Sequence, residues 1–210
     1  MGWFNKEYNF LYWLSRSIVK LGFILGTRPT IIGLENVPKT GGVMLVPNHI
    51  SHLDPPLVGT TCNRKVHFLA KTELFHGFLG WYMTNIGQIQ VNRGQGSEAV
   101  EVAIELLKKG LCVCIFPEGT RSRTGEMQKP HTGAVVIASK AGCPIVPILI
   151  EGTFEVMPPK SKFPRLFSKI RITYGKPFNL TAEEQDLSSK ERMRQTAEGI
   201  MERIKALGKA

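Results

Sequence analysis

Leu111 to Phe116 is an unbroken run of six apolar residues, bounded by Gly110 and Pro117. No polar side chain gives either face of this segment a reason to meet water. A short apolar run between turn residues fits a strand covered on both sides, the position of a central strand in a parallel sheet. Val43 to Val46 and Pro144 to Ile150 repeat the signal. Helical patterns lie between such runs. Ser97 to Lys109 places Val100, Ala103, Ile104 and Leu107 at helical spacing, with Ser97 as the expected cap and Gly110 as the stop. Thr132 to Ala141 reads as an apolar helix ended by Gly142, and Glu191 to Leu207 as a charged amphipathic one. Shorter strands are expected at Thr30 to Leu34, Val66 to Ala70, Ile86 to Val91 and Lys169 to Tyr174, with a short helix after Pro55 and Pro56. The alternation predicts an α/β fold: a single domain with a largely parallel mixed sheet flanked by helices. In such sheets, functional residues gather beyond the carboxyl ends of the strands.

The N-terminal segment, residues 1–28, stands apart. Residues 3–26 read as a helix, interrupted near Gly22, with Trp3, Phe4, Tyr8, Tyr12 and Trp13 among its apolar residues. Aromatic residues mixed with Lys and Arg are what a membrane interface favours; the plainer reading is a helix packed on the core. Charges at Lys6, Glu7, Arg16 and Lys20 break the pattern. The uncharged stretch Tyr8 to Ser15 is far short of the roughly 18–20 apolar residues a spanning helix needs. The expectation is therefore an apolar, amphipathic membrane-contact segment ahead of a main domain at 29–210. A net charge of +10 favours anionic partners: nucleic acid, acidic lipid or phosphorylated substrates. No aromatic RNA-binding signature or helix-turn-helix pattern supports nucleic acid. Cys62, Cys112, Cys114 and Cys143 form no CxxC pair, which points to buried reduced thiols rather than a zinc site or a disulfide framework.

Chemistry concentrates after the Val43 strand, in Asn48-His49-Ile50-Ser51-His52-Leu53-Asp54-Pro55. A turn from strand to helix can fold Asp54 back onto the His49 ring. A carboxylate on one ring nitrogen fixes the tautomer and leaves the other nitrogen free to take a proton. That is two-thirds of a nucleophilic triad without a serine. A simple capping pair is the bland alternative. A dinuclear His-x-His-x-Asp-His site would need histidine at positions 50 and 55, where Ile50 and Pro55 stand, so no metal is expected. Two more segments follow strands: Gly87 to Arg93, and Phe116-Pro117-Glu118-Gly119-Thr120-Arg121. Arginine's planar fork suits phosphate, and glycine lets backbone approach a ligand. Each of these alone also fits an ordinary polar turn.

Taken together, Asn48-His49-x4-Asp54, Gly87 to Arg93, Phe116 to Arg121 and Ile145-Val146-Pro147-Ile148 resemble the four sequence blocks of the glycerolipid acyltransferases. The likeness is greatest to bacterial 1-acylglycerol-3-phosphate acyltransferases. It covers about Pro29 to Tyr174, so residues 29–210 become the expected acyltransferase domain. Gln90 and Asn92 depart from the family's usual second block, while Arg93 is kept.

The resemblance implies transfer of a fatty acyl group from acyl-CoA or acyl carrier protein to the free hydroxyl of lysophosphatidic acid, forming phosphatidic acid. His49 would be the general base and Asp54 its orienting partner. Arg93 and Arg121 match positions that hold glycerol phosphate, and Lys71 resembles a further phosphate contact. Glu118 would either brace an arginine or bind substrate; Gly119 and Thr120 would shape the turn; His52 drops to a supporting role. No cofactor or metal is implied, nor a nucleic acid partner. The bilayer is an expected partner, met by the N-terminal segment and by the basic, aromatic stretch 151–168, at the cytoplasmic face of the cell membrane as a peripheral or monotopic protein. Other acceptors, glycerol-3-phosphate or another lysophospholipid, fit the same machinery. A basic lipid-binding protein without activity is the non-enzyme alternative.

Overall fold

The computed structural model describes residues 10–91, 96–159, 161, 163–165 and 168–209. Asn92, Arg93 and the aromatic residues Trp3, Phe4 and Tyr8, all singled out above, lie outside the described residues, as do Lys160 and Lys162 of the basic stretch 151–168. The strands are β1 (Thr30–Ile32), β2 (Val43–Pro47), β3 (Val66–Lys71), β4 (Ile89–Val91), β5 (Cys112–Cys114), β6 (Ile145–Glu151) and β7 (Arg171–Tyr174). The helices are α1 (Phe10–Gly26), α2 (Asp54–Thr61), α3 (Gly77–Asn85), α4 (Gly96–Lys108), α5 (Gly133–Ala141), α6 (Thr153–Val156) and α7 (Lys190–Ala206).

They form a seven-stranded sheet in the order β1-β7-β6-β2-β5-β3-β4. From β6 to β4 all neighbours are parallel; β7 runs antiparallel to β6, and β1 runs parallel to β7. The apolar runs sit where their composition requires. Every residue of β2 is buried, with β5 and β6 on its two edges. Its side chains alternate between two cores: Met44 and Val46 pack with α4, α5 and α7, whereas Val43 and Leu45 pack with Leu57 and Val58 of α2. Cys112 and Cys114 share the α2 side, as alternation in a strand demands, and all four cysteines are buried and unpaired.

Four local expectations are corrected. Helix α1 passes through Gly22 without a break, because one glycine costs a helix only about 1 kcal/mol. Helix α4 starts at Gly96, which puts Ser97 inside its first turn instead of at the cap. The strand expected from Ile86 begins only at Ile89, because Ile86, Gly87 and Gln88 donate back to Tyr82, Thr84 and Met83 to close α3. The stretch 151–168 carries the short helix α6.

His67 on β3 is fully buried, and its Nδ1 lies 2.6 Å from the Gly87 carbonyl. A carbonyl only accepts, so Nδ1 holds the proton, and Nε2 has no partner among the described residues. Burial pushes its pKa down to about 4. Unfolded, the ring titrates near 6.5, so between those values the unfolded chain binds the extra proton. Stability supplied by neutral His67 is therefore complete above pH 6.5 and is lost as pH falls toward 4, by up to about 3 kcal/mol. Urea unfolding across that window should show the decline, and His67→Asn, which keeps an N–H for Gly87, should flatten it.

Candidate active site

Sheet register brings the sequence motifs to one rim. Leu45 pairs with Cys114, and Cys114 with Phe68, so the segments leaving β2, β5 and β3 emerge side by side. His49 follows β2, Glu118 follows β5, and Lys71 closes β3. Val91, two residues before Arg93, pairs with Lys71. Connections leave β2 and β5 in opposite directions along the sheet, the arrangement that opens a crevice above strand ends.

The turn from β2 into α2 is tied by one carboxylate. Asp54 Oδ2 lies 2.9 Å from His49 Nδ1 and accepts from the backbone N–H groups of Ile50 and Ser51, each at 2.7 Å. Thr153 donates its hydroxyl to Asp54 Oδ1 at 2.6 Å. Two backbone N–H groups and a hydroxyl already donate to this carboxylate, so it acts as acceptor, and a carboxylate facing Nδ1 selects the tautomer with the His49 proton on that nitrogen. The other ring nitrogen, Nε2, is left with its lone pair. Asp54 is wholly buried while the His49 side chain is 14% exposed, so only the imidazole faces the rim. The ring stacks on Phe116 with centroids 4.1 Å apart, which limits its rotation. The geometry can remove a proton from a hydroxyl presented at Nε2 and return it.

The Phe116–Arg121 turn braces this arrangement. Glu118 is buried; its Oε1 accepts from the backbone N–H of His49 at 2.7 Å and its Oε2 from that of Gln128 at 2.8 Å. Its hydrogen-bond partners among the described residues include no arginine. Burial raises its pKa, and the N–H donors pull it partly back. Ser122 N–H returns a bond to the His49 carbonyl at 2.8 Å, so the backbone of His49 is held on both sides. Gly119 has φ +66, and a Cβ there would lie 2.9 Å from the His131 ring, which excludes larger residues from the turn. Thr120 is exposed and its carbonyl accepts from Gln128 Nε2. Arg121 is half-buried, and its positive charge, after partial burial, helps lower the His52 pKa. The two side chains are therefore near enough for their charges to interact. Lys71 is exposed at the rim, two strands from β2, or roughly 10 Å at ordinary strand spacing. Among the described residues, no group of three or more His, Cys, Asp and Glu side chains could hold a metal ion.

Thr153 escaped the sequence reading, and Asn48, although part of the first block, was given no role there. Asn48 clamps the turn to β6: its amide donates to the Ile150 carbonyl at 2.9 Å and accepts from the Ile150 N–H at 2.7 Å. Thr153 lies 99 residues beyond Asp54 and reaches it only because Gly152, at φ +83, turns the chain sharply after β6. A Cβ on Gly152 would sit 2.0 Å from the Lys169 carbonyl oxygen. Gly-Thr directly after an apolar strand was the available signal, but nothing local links it to Asp54. Thr153→Val should lower kcat roughly tenfold with little change in KM, because Asp54 Oδ1 loses its donor and the dyad loosens. Thr153→Ser should restore most of the rate; equal losses in both variants would show that packing, not the hydroxyl, matters.

Every side chain of this rim except Thr153 falls within residues 28–151, the span matched by the Acyltransferase family model. The chain belongs to that family. Among its relatives, a 1-acyl-sn-glycerol-3-phosphate acyltransferase of Bacillus subtilis is 32% identical over 176 residues, 82% of this chain and 84% of the relative. A chloroplastic 1-acyl-sn-glycerol-3-phosphate acyltransferase of Brassica napus is 34% identical over 175 residues, 81% of this chain but 50% of the relative, so the chain spans about half of that protein. The crystal structure of the 1-acyl-sn-glycerophosphate acyltransferase PlsC from Thermotoga maritima superposes with a TM-score of 0.77 at 28% identity, covering 94% of this chain and 78% of that one.

Proposed function

We propose that this protein transfers a fatty acyl group from an acyl thioester, acyl-CoA or acyl carrier protein, to the free hydroxyl of 1-acylglycerol-3-phosphate, giving phosphatidic acid. The observation that carries the reading is the His49–Asp54 pair at 2.9 Å with its second nitrogen open to the rim. The nucleophile missing from the chain is then the acceptor's own hydroxyl. His49 Nε2 takes the hydroxyl proton as the oxygen attacks the thioester carbonyl. The new C–O bond forms, the C–S bond breaks, and the departing sulfur takes the proton back from Nε2. Asp54 accepts from Nδ1–H throughout and balances the charge of the transient imidazolium. Lys71, Arg93 and Arg121 supply cationic contacts for the acceptor phosphate. Glu118 positions the backbone of His49 and, with Gly119 and Thr120, the loop that carries Arg121.

We also propose that the protein works as a peripheral or monotopic protein at the cytoplasmic face of the cell membrane, through α1 and the stretch 151–168. No helix among the described residues is long and apolar enough to cross a membrane. Phe10, Ile18 and Leu25 of α1 are exposed, as is Phe163. The helix is also tied to the domain: Arg16 donates to the carbonyls of Gly59 and Cys62, and the Tyr12 hydroxyl accepts from the Val66 N–H.

Purified protein incubated with acyl-CoA or acyl carrier protein and a panel of acceptors tests the reaction. Phosphatidic acid from lysophosphatidic acid is expected. Transfer only to glycerol-3-phosphate or to another lysophospholipid would reassign the acceptor. Binding without transfer to any acceptor would favour the basic lipid-binding alternative.

A further inference from the structure

The sheet's two helical layers differ in what they show to solvent. Eleven of the fourteen exposed large hydrophobic side chains among the described residues lie on α1 or within residues 74–81; α4, α5 and α7 contribute none. Helix α1 sits on the α2 side of the sheet, where Phe23 packs with Leu57 and Val58. Helix α3 belongs to the same side by chain topology. The β2-to-β3 and β3-to-β4 connections both join parallel strands and step in the same direction across the sheet. Right-handed crossovers therefore place α2 and α3 on one face.

We propose that the 74–81 segment is a second lipid-contact surface, on the same side of the sheet as α1, and that it lays the catalytic rim against an anionic bilayer. Phe78 is 81% exposed, Trp81 53%, Leu79 47% and Leu74 42%. Phe78 and Trp81 stack with centroids 5.6 Å apart, forming one aromatic plate. Aromatic residues beside basic ones are the composition of a bilayer interface, where ring and amphipathic tip are both satisfied. Helix α1 carries Arg16 and Lys20 and no acidic residue. The chain as a whole has a net charge of +10, which complements anionic headgroups and not a second copy of itself. The segment also follows directly on Lys71 at the rim, so an aromatic plate seated in the interface leaves that lysine at headgroup height. The acceptor could then present its phosphate without leaving the membrane. This last consequence rests on the proposed reaction; the surface itself does not.

The test is co-sedimentation of the full chain with vesicles of phosphatidylcholine, with and without phosphatidylglycerol. Phe78→Glu with Trp81→Glu should lower partitioning into the anionic vesicles roughly tenfold or more, as should Ile18→Glu with Leu25→Glu. All four side chains are solvent-exposed, so the fold should survive, and unchanged circular dichroism confirms it. Turnover of a short-chain, water-soluble acceptor should stay at the wild-type level in both variants. Wild-type partitioning by the 78/81 variant would overturn the proposal. So would a wild-type dimer that this variant breaks while vesicle binding stays intact, because a second copy would then be the occupant. Impaired vesicle binding by the variant, in a wild-type protein that transfers no acyl group, would leave the surface standing and remove the acyltransferase reading.

Discussion

Replacing His49 by alanine is expected to cut kcat by about 10³-fold or more, at the upper part of the 10²–10⁴ range for a positioned general base, with KM changed far less. The reason is local. Nε2 is the one nitrogen of the pair left to receive a proton, and the other side chain that hydrogen-bonds Asp54 among the described residues, Thr153, is a hydroxyl that donates to it and is no base. The variant should still fold. The bonds from Ser122 N–H and to Glu118 use the backbone of residue 49, and Asp54 keeps its two N–H donors and Thr153. A folded, substrate-binding, inactive enzyme is therefore the outcome; residual activity within tenfold of wild type would mean that the proton leaves by another route.

Asp54→Asn is expected to cost roughly 10²–10⁴ in kcat with modest effect on substrate binding. An amide can copy most of the geometry. Its carbonyl oxygen, placed where Oδ2 stands, still accepts from His49, Ile50 and Ser51. Its NH2 then faces the Thr153 hydroxyl, which can rotate and accept. What disappears is the negative charge that offsets the imidazolium. Asp54→Ala is the contrasting case: it strands the N–H groups of Ile50 and Ser51 in a buried turn, at a cost of about 1–3 kcal/mol each. Melting temperatures should separate the two, with Asn near wild type and Ala well below it. Unchanged turnover in Asp54→Asn would count against the dyad.

The sheet was legible because its central strands advertise themselves. A run such as Leu111 to Phe116 has no amphipathic reading, and glycines such as Gly142, at φ +61 after α5, punctuate the helices that follow. The edges were harder. Ile86 to Gln88 look like a strand but close a helix, because the aromatic helix α3 does not show the periodicity of a half-buried surface helix. It does not show it because much of its apolar surface is turned outward. The dyad was legible because its partners lie five residues apart on a strand-to-helix turn. The hydroxyl of Thr153 was not, since its bond to Asp54 exists only once β6 lies beside β2. Glu118 illustrates a third case. The family resemblance implied a substrate or arginine partner for it, and in the structure both carboxylate oxygens accept from backbone N–H groups, of His49 and of Gln128.

The most direct measurement is a steady-state assay of phosphatidic acid formation from lysophosphatidic acid and an acyl thioester, run on wild type and His49→Ala side by side. The wild type should produce phosphatidic acid and free thiol in equal amounts. His49→Ala, folded to the same extent, should lose that rate by about 10³-fold. Phosphatidic acid formation that is equal in the two proteins, or absent from the wild type with every acyl thioester supplied, would contradict the account.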